Sequence, residues 1–180
     1  MSNIWFISDT HFCHEKEFLW QPRGYKSVYQ MNLDLMDKWN CSIGEKDTIY
    51  HLGDVMLNDN EEGMRILSCL KGNIHIILGN HDSLKRVELY KQLPNVVDVT
   101  YADMLYINKH INFYLSHYPT LVANFDDYKK LWNLSGHTHT TDKFALKQHQ
   151  IYNVGVDAHN GYPVNLDEVI EDIRRLRRGI

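Results

Sequence analysis

Cysteine is too scarce and too scattered to organise this chain: the three thiols, Cys13, Cys41 and Cys69, are widely spaced and form no C-x-x-C pair. That pattern argues against a disulfide framework and against a thiolate zinc knuckle, so the thiols are expected to be reduced. Long apolar runs are missing too, none approaching the ~20 residues of a membrane span. Asp9 interrupts the N-terminus before a signal-peptide core can form, and a cytoplasmic protein is the expectation. Positive charge is not in excess, with a net charge of -4 and a sequence pI near 6.2, so no global basic field exists to drive strong non-specific nucleic-acid binding. What is present is ordinary globular composition, 43% hydrophobic and 23% charged over 180 residues, enough for one substantial core. With no repeat or linker, residues 1–180 are expected to form a single domain.

Three short apolar runs share one design. Asn3 to Ser8 ends at Asp9, Thr48 to Leu52 at Gly53-Asp54, and Ile74 to Leu78 at Gly79-Asn80, and each reads as a buried strand. Helical patterns lie between them: Met31, Leu35 and Trp39 recur at i, i+4, i+8 after Ser27, and Met64, Leu67, Cys69 and Leu70 form a weaker face after Asn60. This alternation predicts an α/β sheet. The apolar stretches at 96–101, 105–107, 111–115, 131–134 and 151–156 predict consecutive, largely antiparallel strands. A last helix is expected after Asn165 as N-cap, with Glu168 as capping-box partner and Leu166, Val169, Ile170, Ile173 and Leu176 on one face. Its basic end, Arg174 to Arg178, suits the helix macrodipole.

Histidine is the unusual abundance, eleven residues, and spacing organises it. Asp9 and His11 follow the first strand as alternate residues that reach one metal together if the backbone stays extended through Thr10. Asp54 follows the second strand, Asn80 and His81 the third, His117 a later one, and His137 and His139 another. In an open α/β sheet ligands bind beyond the carboxyl ends of strands, so these segments should converge. The mixed carboxylate, carboxamide and imidazole set suits Mn, Fe, Zn, Ni or Co. It holds more ligands than one ion takes, and an Asp54 bridging two divalent ions would solve the arithmetic. Such a pair would supply hydroxide to attack a phosphoester, with His81 beside it as acid or phosphate clamp.

The segments Asp9-x-His11, Gly53-Asp54, Gly79-Asn80-His81-Asp82, Ser116-His117 and Gly136-His137-x-His139 resemble, in order, the motifs of the calcineurin-like metallophosphoesterases, and within them a small bacterial or phage group of predicted phosphoesterases. The resemblance implies a sandwich of two mixed β-sheets flanked by α-helices. It assigns Asp9, His11 and His139 to one metal, Asn80, His117 and His137 to the other, Asp54 to both, and catalysis to His81. Members often carry glycine where this chain has Cys13; if that position has positive φ, Cys13 is strained.

Other residues are read with plainer alternatives beside them. His14 is a candidate substrate contact or a solvated loop histidine, and Arg23 a candidate phosphate clamp or an exposed arginine. Asp82 either orients His81 or stabilises a helix start. His51 packs in its strand or supports Asp54, while His75, His110 and His149 are read as structural. Asp157, His159, Asn160 and Tyr118-Pro119 are placed near the site and no more. The expected activity is hydrolysis of a phosphoester, a phosphodiester first, in a phosphorylated small molecule or nucleotide. The alternatives are a non-catalytic metal-binding scaffold of the same fold and a nucleoside-polyphosphate hydrolase, for which basic residues beyond Arg23, Lys85 and Arg86 are few.

Overall fold

A computed structural model describes residues 2–122, 130–144 and 150–179; His149 lies outside them. The strands are β1 (Ile4–Ile7), β2 (Thr48–His51), β3 (Asn73–Ile77), β4 (Val96–Thr100), β5 (Ala102–Tyr106), β6 (Asn112–Ser116), β7 (Leu131–Ser135), β8 (Ile151–Asn153) and β9 (Val164–Asn165). The helices are α1 (Glu17–Trp20), α2 (Val28–Ser42), α3 (Asn60–Ser68), α4 (Leu84–Tyr90) and α5 (Leu166–Arg178). They build two mixed sheets with flanking helices, ordered β4-β3-β2-β1-β9 and β5-β6-β7-β8.

In the first sheet β1 to β4 run parallel and β9 closes the edge antiparallel to β1. Alternation along β1 sends Trp5 and Ile7 to a core under α2 and α3, with Met31, Leu35, Trp39 and Ile66, while Ile4 and Phe6 join the second core. That second core takes Phe113, Leu115, Trp132 and Leu134 from the other sheet and Val169 and Ile173 from α5. Each such buried aliphatic contributes roughly 1.5–3 kcal/mol of transfer free energy.

The expectation of largely antiparallel pairing in the second half is corrected. Among the described residues β5 and β6 pair antiparallel there, whereas β6 with β7 and β7 with β8 are parallel. The connections spanning 117–130 and 136–150 are long enough for the crossover of about a dozen or more residues that a parallel pair requires. Likewise 96–101 supplies β4 to the first sheet, parallel to β3, because α4 provides the crossover.

Two helix details differ from expectation. In α3 the buried residues are Gly63, Ile66 and Leu67, with Cys69 exposed as the C-cap, one position past the apolar face. In α5 Asn165 does cap, accepting the Asp167 N–H, but Glu168 does not close a capping box; its carboxylate meets Lys143 at 3.0 Å. No described helix is long and apolar enough to cross a membrane.

Candidate metal centre

All the motif residues sit where parallel strands end. β1, β2 and β3 in one sheet and β6, β7 and β8 in the other present their carboxyl ends to the same side, and the sheets are joined there. Ser8 and Gly155 form a parallel bridge, and the Val156 N–H donates to the Ser8 carbonyl at 3.1 Å. Glycine permits the close approach at the join, since a Cβ on Gly136 would collide with Ser8 Oγ and Asp9 Oδ2.

The condition of an extended backbone through Thr10 is not met, since the residues on either side of it leave the extended region. Asp9 and His11 adopt φ of 59° and 48°, and Asp54, His137 and His139 share the left-handed region at 56°, 69° and 51°. Such conformations cost roughly 1–3 kcal/mol each and persist where surrounding structure imposes them. Here the imposing bonds are visible: Asp9 N–H to the Gly53 carbonyl at 3.0 Å, His11 N–H to the Asp54 carbonyl at 3.0 Å and Phe12 N–H to the Val55 carbonyl at 2.9 Å. Cys13, at φ 64°, bears the strain anticipated for a non-glycine there, and its N–H is held by Asn32 Oδ1 at 3.1 Å.

The side chains converge. His11 Nε2 and His117 Nε2 each lie 3.5 Å from Asp54 Oδ2. His11 Nε2 is 3.3 Å from His139 Nε2, and His117 Nε2 is 3.0 Å from Asn80 Oδ1. Donor atoms of Asp9, His11 and His139 fall within 4.8 Å of one another, as do those of Asp9, Asp54 and His117, so Asp9 stands within reach of both groups. His137 lies beside His117, ring centroids 5.0 Å apart, and its N–H donates to Asp9 Oδ2 at 2.9 Å.

The electrostatics favour a cation. Asp9 is buried with Oδ1 lacking any hydrogen-bond partner, and burial pushes its carboxyl above the ordinary range against the opposing pull of His139 and His117. Burial drives His11 well below the usual imidazole range, with His139, Arg23, His14 and His81 adding to it, which keeps the ring in the neutral form that ligates metals. His117 donates Nδ1–H to the Leu52 carbonyl at 2.8 Å, leaving Nε2 turned to Asp54 and Asn80.

Two carboxylates, buried Asp82 and partly buried Asp157, hold the cluster from behind. Asp82 accepts the N–H groups of Asp54 (2.8 Å), Gly79 (2.9 Å) and Val55 (3.2 Å) and the Tyr90 hydroxyl (2.8 Å). It therefore ties the β2 and β3 loops together; Ser83, not Asp82, is the N-cap of α4. Asp157 accepts Nδ1–H of His139 at 2.9 Å, which raises the His139 pKa. Its role went unnoticed in the sequence, where only a Gly-rich turn after a strand marked it.

Arg23 is engaged within the protein, which corrects the exposed-arginine reading. Its side chain is only 8% exposed, with Nε and Nη2 gripping Asp157 at 2.8 and 2.9 Å and Nη2 also donating to the Asp9 carbonyl at 2.9 Å. A guanidinium so engaged is not an exposed surface group. His14 is buried rather than solvated, its ring 5.6 Å from His11 and its Nδ1 accepting the Lys16 N–H. His81 is exposed beside His11, ring centroids 5.4 Å apart, its N–H donating to Asp54 Oδ1 at 2.9 Å. His51 is buried on β2, its pKa pushed down to about 3 by burial and its Nε2 2.9 Å from Thr10 Oγ1. His75 stacks on Tyr50, His110 is exposed, His159 bonds the Asn153 carbonyl and Asn160 accepts Lys38; these partners lie outside the motifs.

Known proteins are similar to this chain. An uncharacterized protein of Methanocaldococcus jannaschii is 31% identical over 182 residues, spanning 97% of this chain and 93% of its own. The gene 66 protein of Mycobacterium phage D29 is 27% identical over 205 residues, spanning all of both chains. A protein of unknown function from Aquifex aeolicus has the same fold, with a TM-score of 0.73 at 24% identity over 96% of this chain and 100% of that one. Residues 2–160, which carry every motif described above, match the calcineurin-like phosphoesterase superfamily domain, and the chain belongs to that family.

Proposed function

We propose that this chain is a two-metal phosphodiesterase in which Asp9, His11 and His139 hold one divalent ion, Asn80, His117 and His137 hold the other, and Asp54 reaches both. One observation carries the reading: Asp54 Oδ2 sits 3.5 Å from His11 Nε2 and 3.5 Å from His117 Nε2, between the two ligand groups. The orphaned Oδ1 of buried Asp9 and the thiolate-free donor set fit Mn, Fe, Zn, Ni or Co. When bound, such ions polarise a phosphoryl oxygen and lower the pKa of water toward about 7.

The chain's own groups supply the rest. His81, exposed and anchored through its N–H to Asp54, presents its imidazole to the open side of the cluster. There it protonates the leaving alkoxide or holds a phosphoryl oxygen as the P–O bond breaks and the oxygen of water joins phosphorus. A monoanionic diester suits the site better than a dianionic monoester or a polyphosphate. Arg23 is committed to Asp157, and Arg86 directs Nη1 to the His81 carbonyl and Nε to Asn60, so both guanidiniums already place donors within the protein.

The test is reconstitution with Mn, and separately with Zn or Ni, followed by metal analysis and assay against phosphomonoesters, diesters, cyclic nucleotides and dinucleoside polyphosphates, with His81→Ala and Asp54→Asn alongside. Two ions per chain and diester turnover lost in both variants are expected. Equal activity in all three proteins overturns the mechanism; two bound ions without turnover of any substrate supports the scaffold reading instead.

A further inference from the structure

Aromatic rings stand at both ends of the ligand cluster. At one end Phe18 on α1, 72% exposed, packs edge-on against His14 with centroids 5.4 Å apart, and His14 packs against His11. At the other Tyr118, 49% exposed, packs against His117 at 5.1 Å and His137 at 4.6 Å. The contacts run in series from Phe18 through His14, His11, Asp54 and His117 to Tyr118. Neither ring is a loose surface residue. The Tyr118 carbonyl is pinned by the hydroxyls of Ser116 (2.8 Å) and Thr120 (2.9 Å), and Phe18 is carried beside Leu19, which α1 buries.

A large apolar ring left half or more in water beside a polar cluster has a high desolvation gain waiting for a flat partner. Arg23 is paired with Asp157 and Arg86 donates to the His81 carbonyl, so both of these guanidiniums already direct donors into the protein. We infer that Phe18 and Tyr118 are the specificity-determining platforms of the site, and that its substrate is a phosphodiester carrying a planar heterocyclic ring on each side of the phosphate, such as a linear dinucleotide. This rests on the diesterase reading above. One ring system stacks on Tyr118 and the other on Phe18 while the diester lies across the ligands; hydrolysis leaves one nucleoside with the phosphate and releases the other as the free alcohol. Stacking on aromatic side chains tolerates any base, so the platforms select for a ring on each side rather than for a sequence.

The experiment uses the Mn-loaded protein with Phe18→Ala, Tyr118→Ala, the double variant and Tyr118→Phe. Each is assayed on a 3′–5′ dinucleotide and on the methyl ester of the corresponding mononucleotide, which keeps the diester and removes one ring. For each alanine variant the ratio of kcat/KM between dinucleotide and methyl ester is expected to fall about ten-fold, mainly through KM on the dinucleotide. Tyr118→Phe should retain the wild-type ratio. A parallel loss on both substrates would mean that the rings only prop their histidines, and an unchanged ratio would remove them from the substrate site; either overturns the inference. A second readout separates it from the diesterase reading: binding of a phosphorothioate dinucleotide containing 2-aminopurine, followed by fluorescence quenching. Quenching by wild type that disappears in the double variant supports the platforms even if no substrate is turned over, in which case hydrolysis alone fails. Absent quenching by the wild-type protein sinks the platforms whatever the turnover.

Discussion

Asp157 Oδ2 accepts the Nδ1–H of His139 at 2.9 Å and thereby fixes which imidazole nitrogen faces Asp9 and His11. A carboxylate behind a ligand histidine sets its tautomer and strengthens it as a donor; losing such a partner costs about 10–100-fold in metal affinity. Asp157→Asn is therefore expected to weaken one of two metal-binding steps by that order while leaving the other near wild type, measured by titration calorimetry. Two unchanged steps would detach Asp157 from the metal centre.

Arg23 grips the same carboxylate from the other side, and both side chains are nearly buried. Removing one partner of a buried pair costs about 3–5 kcal/mol, so Arg23→Met should lower Tm by roughly 5–15 °C in a chain of this size. In metal-saturated protein KM should change by less than about three-fold, because the guanidinium is committed to Asp157. A selective rise in KM with unchanged Tm would return Arg23 to the phosphate.

The contrast between Asp54 and Asp157 explains what could be read from the chain alone. Asp9, Asp54, Asn80, His117, His137 and His139 each follow an apolar run directly, so strand periodicity and residue chemistry together mark them in the sequence. Arg23 and Asp157 are 134 residues apart, and no local pattern records a contact made only when the α1–α2 loop closes over the end of β8. Pairing direction in the second sheet was equally obscure. Periodicity reports which face of a strand is buried, whereas direction depends on connections such as 117–130, whose length was the better guide. The left-handed backbone at Asp9 and His11 had no signal either, since glycine is absent from both positions and tertiary hydrogen bonds impose the conformation.

Cys13 is strained and its thiol is sealed. With φ at 64°, replacement by valine, a β-branched residue, should destabilise by more than about 2 kcal/mol in urea titrations. Cys13→Gly should fall within about 1 kcal/mol of wild type, because relief of strain offsets the lost side chain and the freer unfolded chain. Burial also raises the Cys13 pKa to about 11, so at pH 8 iodoacetamide should modify exposed Cys41 and Cys69 well before it. Equal labelling of all three, or equal destabilisation by Gly and Val, would contradict the local geometry.

Asp47 links the first strand to the turn before β2. Its Oδ1 accepts the Asn3 N–H at 2.8 Å, and Oδ2 accepts the Gly44 N–H and the Trp5 indole at 3.0 and 3.1 Å. The Asn3 bond, followed by the others, holds its carboxyl below the usual value of 3.8. A carboxylate with a depressed folded pKa stabilises the fold above its unfolded pKa and loses that contribution as pH falls through the folded pKa. The Tm advantage of wild type over Asp47→Asn should therefore be full at pH 6 and shrink below about pH 4. A difference that stays constant down to pH 3 would show that the charge is not what the three donors recognise.

Gly136 offers the most local test of how the two sheets make one site. Its backbone is not in the positive-φ region, so alanine is conformationally acceptable there and only the added methyl matters. That methyl would land on Ser8 Oγ and Asp9 Oδ2, the carboxylate oxygen that already accepts the His137 N–H. Overpacking of this kind costs about 1–3 kcal/mol, and relief requires either the sheets to part at the Ser8–Gly155 bridge or Asp9 to swing out of both ligand groups. The two routes are separable. If Asp9 yields, Gly136→Ala keeps most of its Tm and loses metal affinity by about ten-fold or more, since about 1.4 kcal/mol lost at a ligand is that factor. If the bridge yields, Tm falls and affinity follows it. The first outcome is expected, because Ser8 is bonded to backbone through both Oγ and its carbonyl, whereas Asp9 is held through Oδ2 by the His137 N–H and its Oδ1 has no hydrogen-bond partner. A variant with wild-type Tm and wild-type metal affinity would mean that the close approach of Gly136 to Asp9 has no part in shaping the centre.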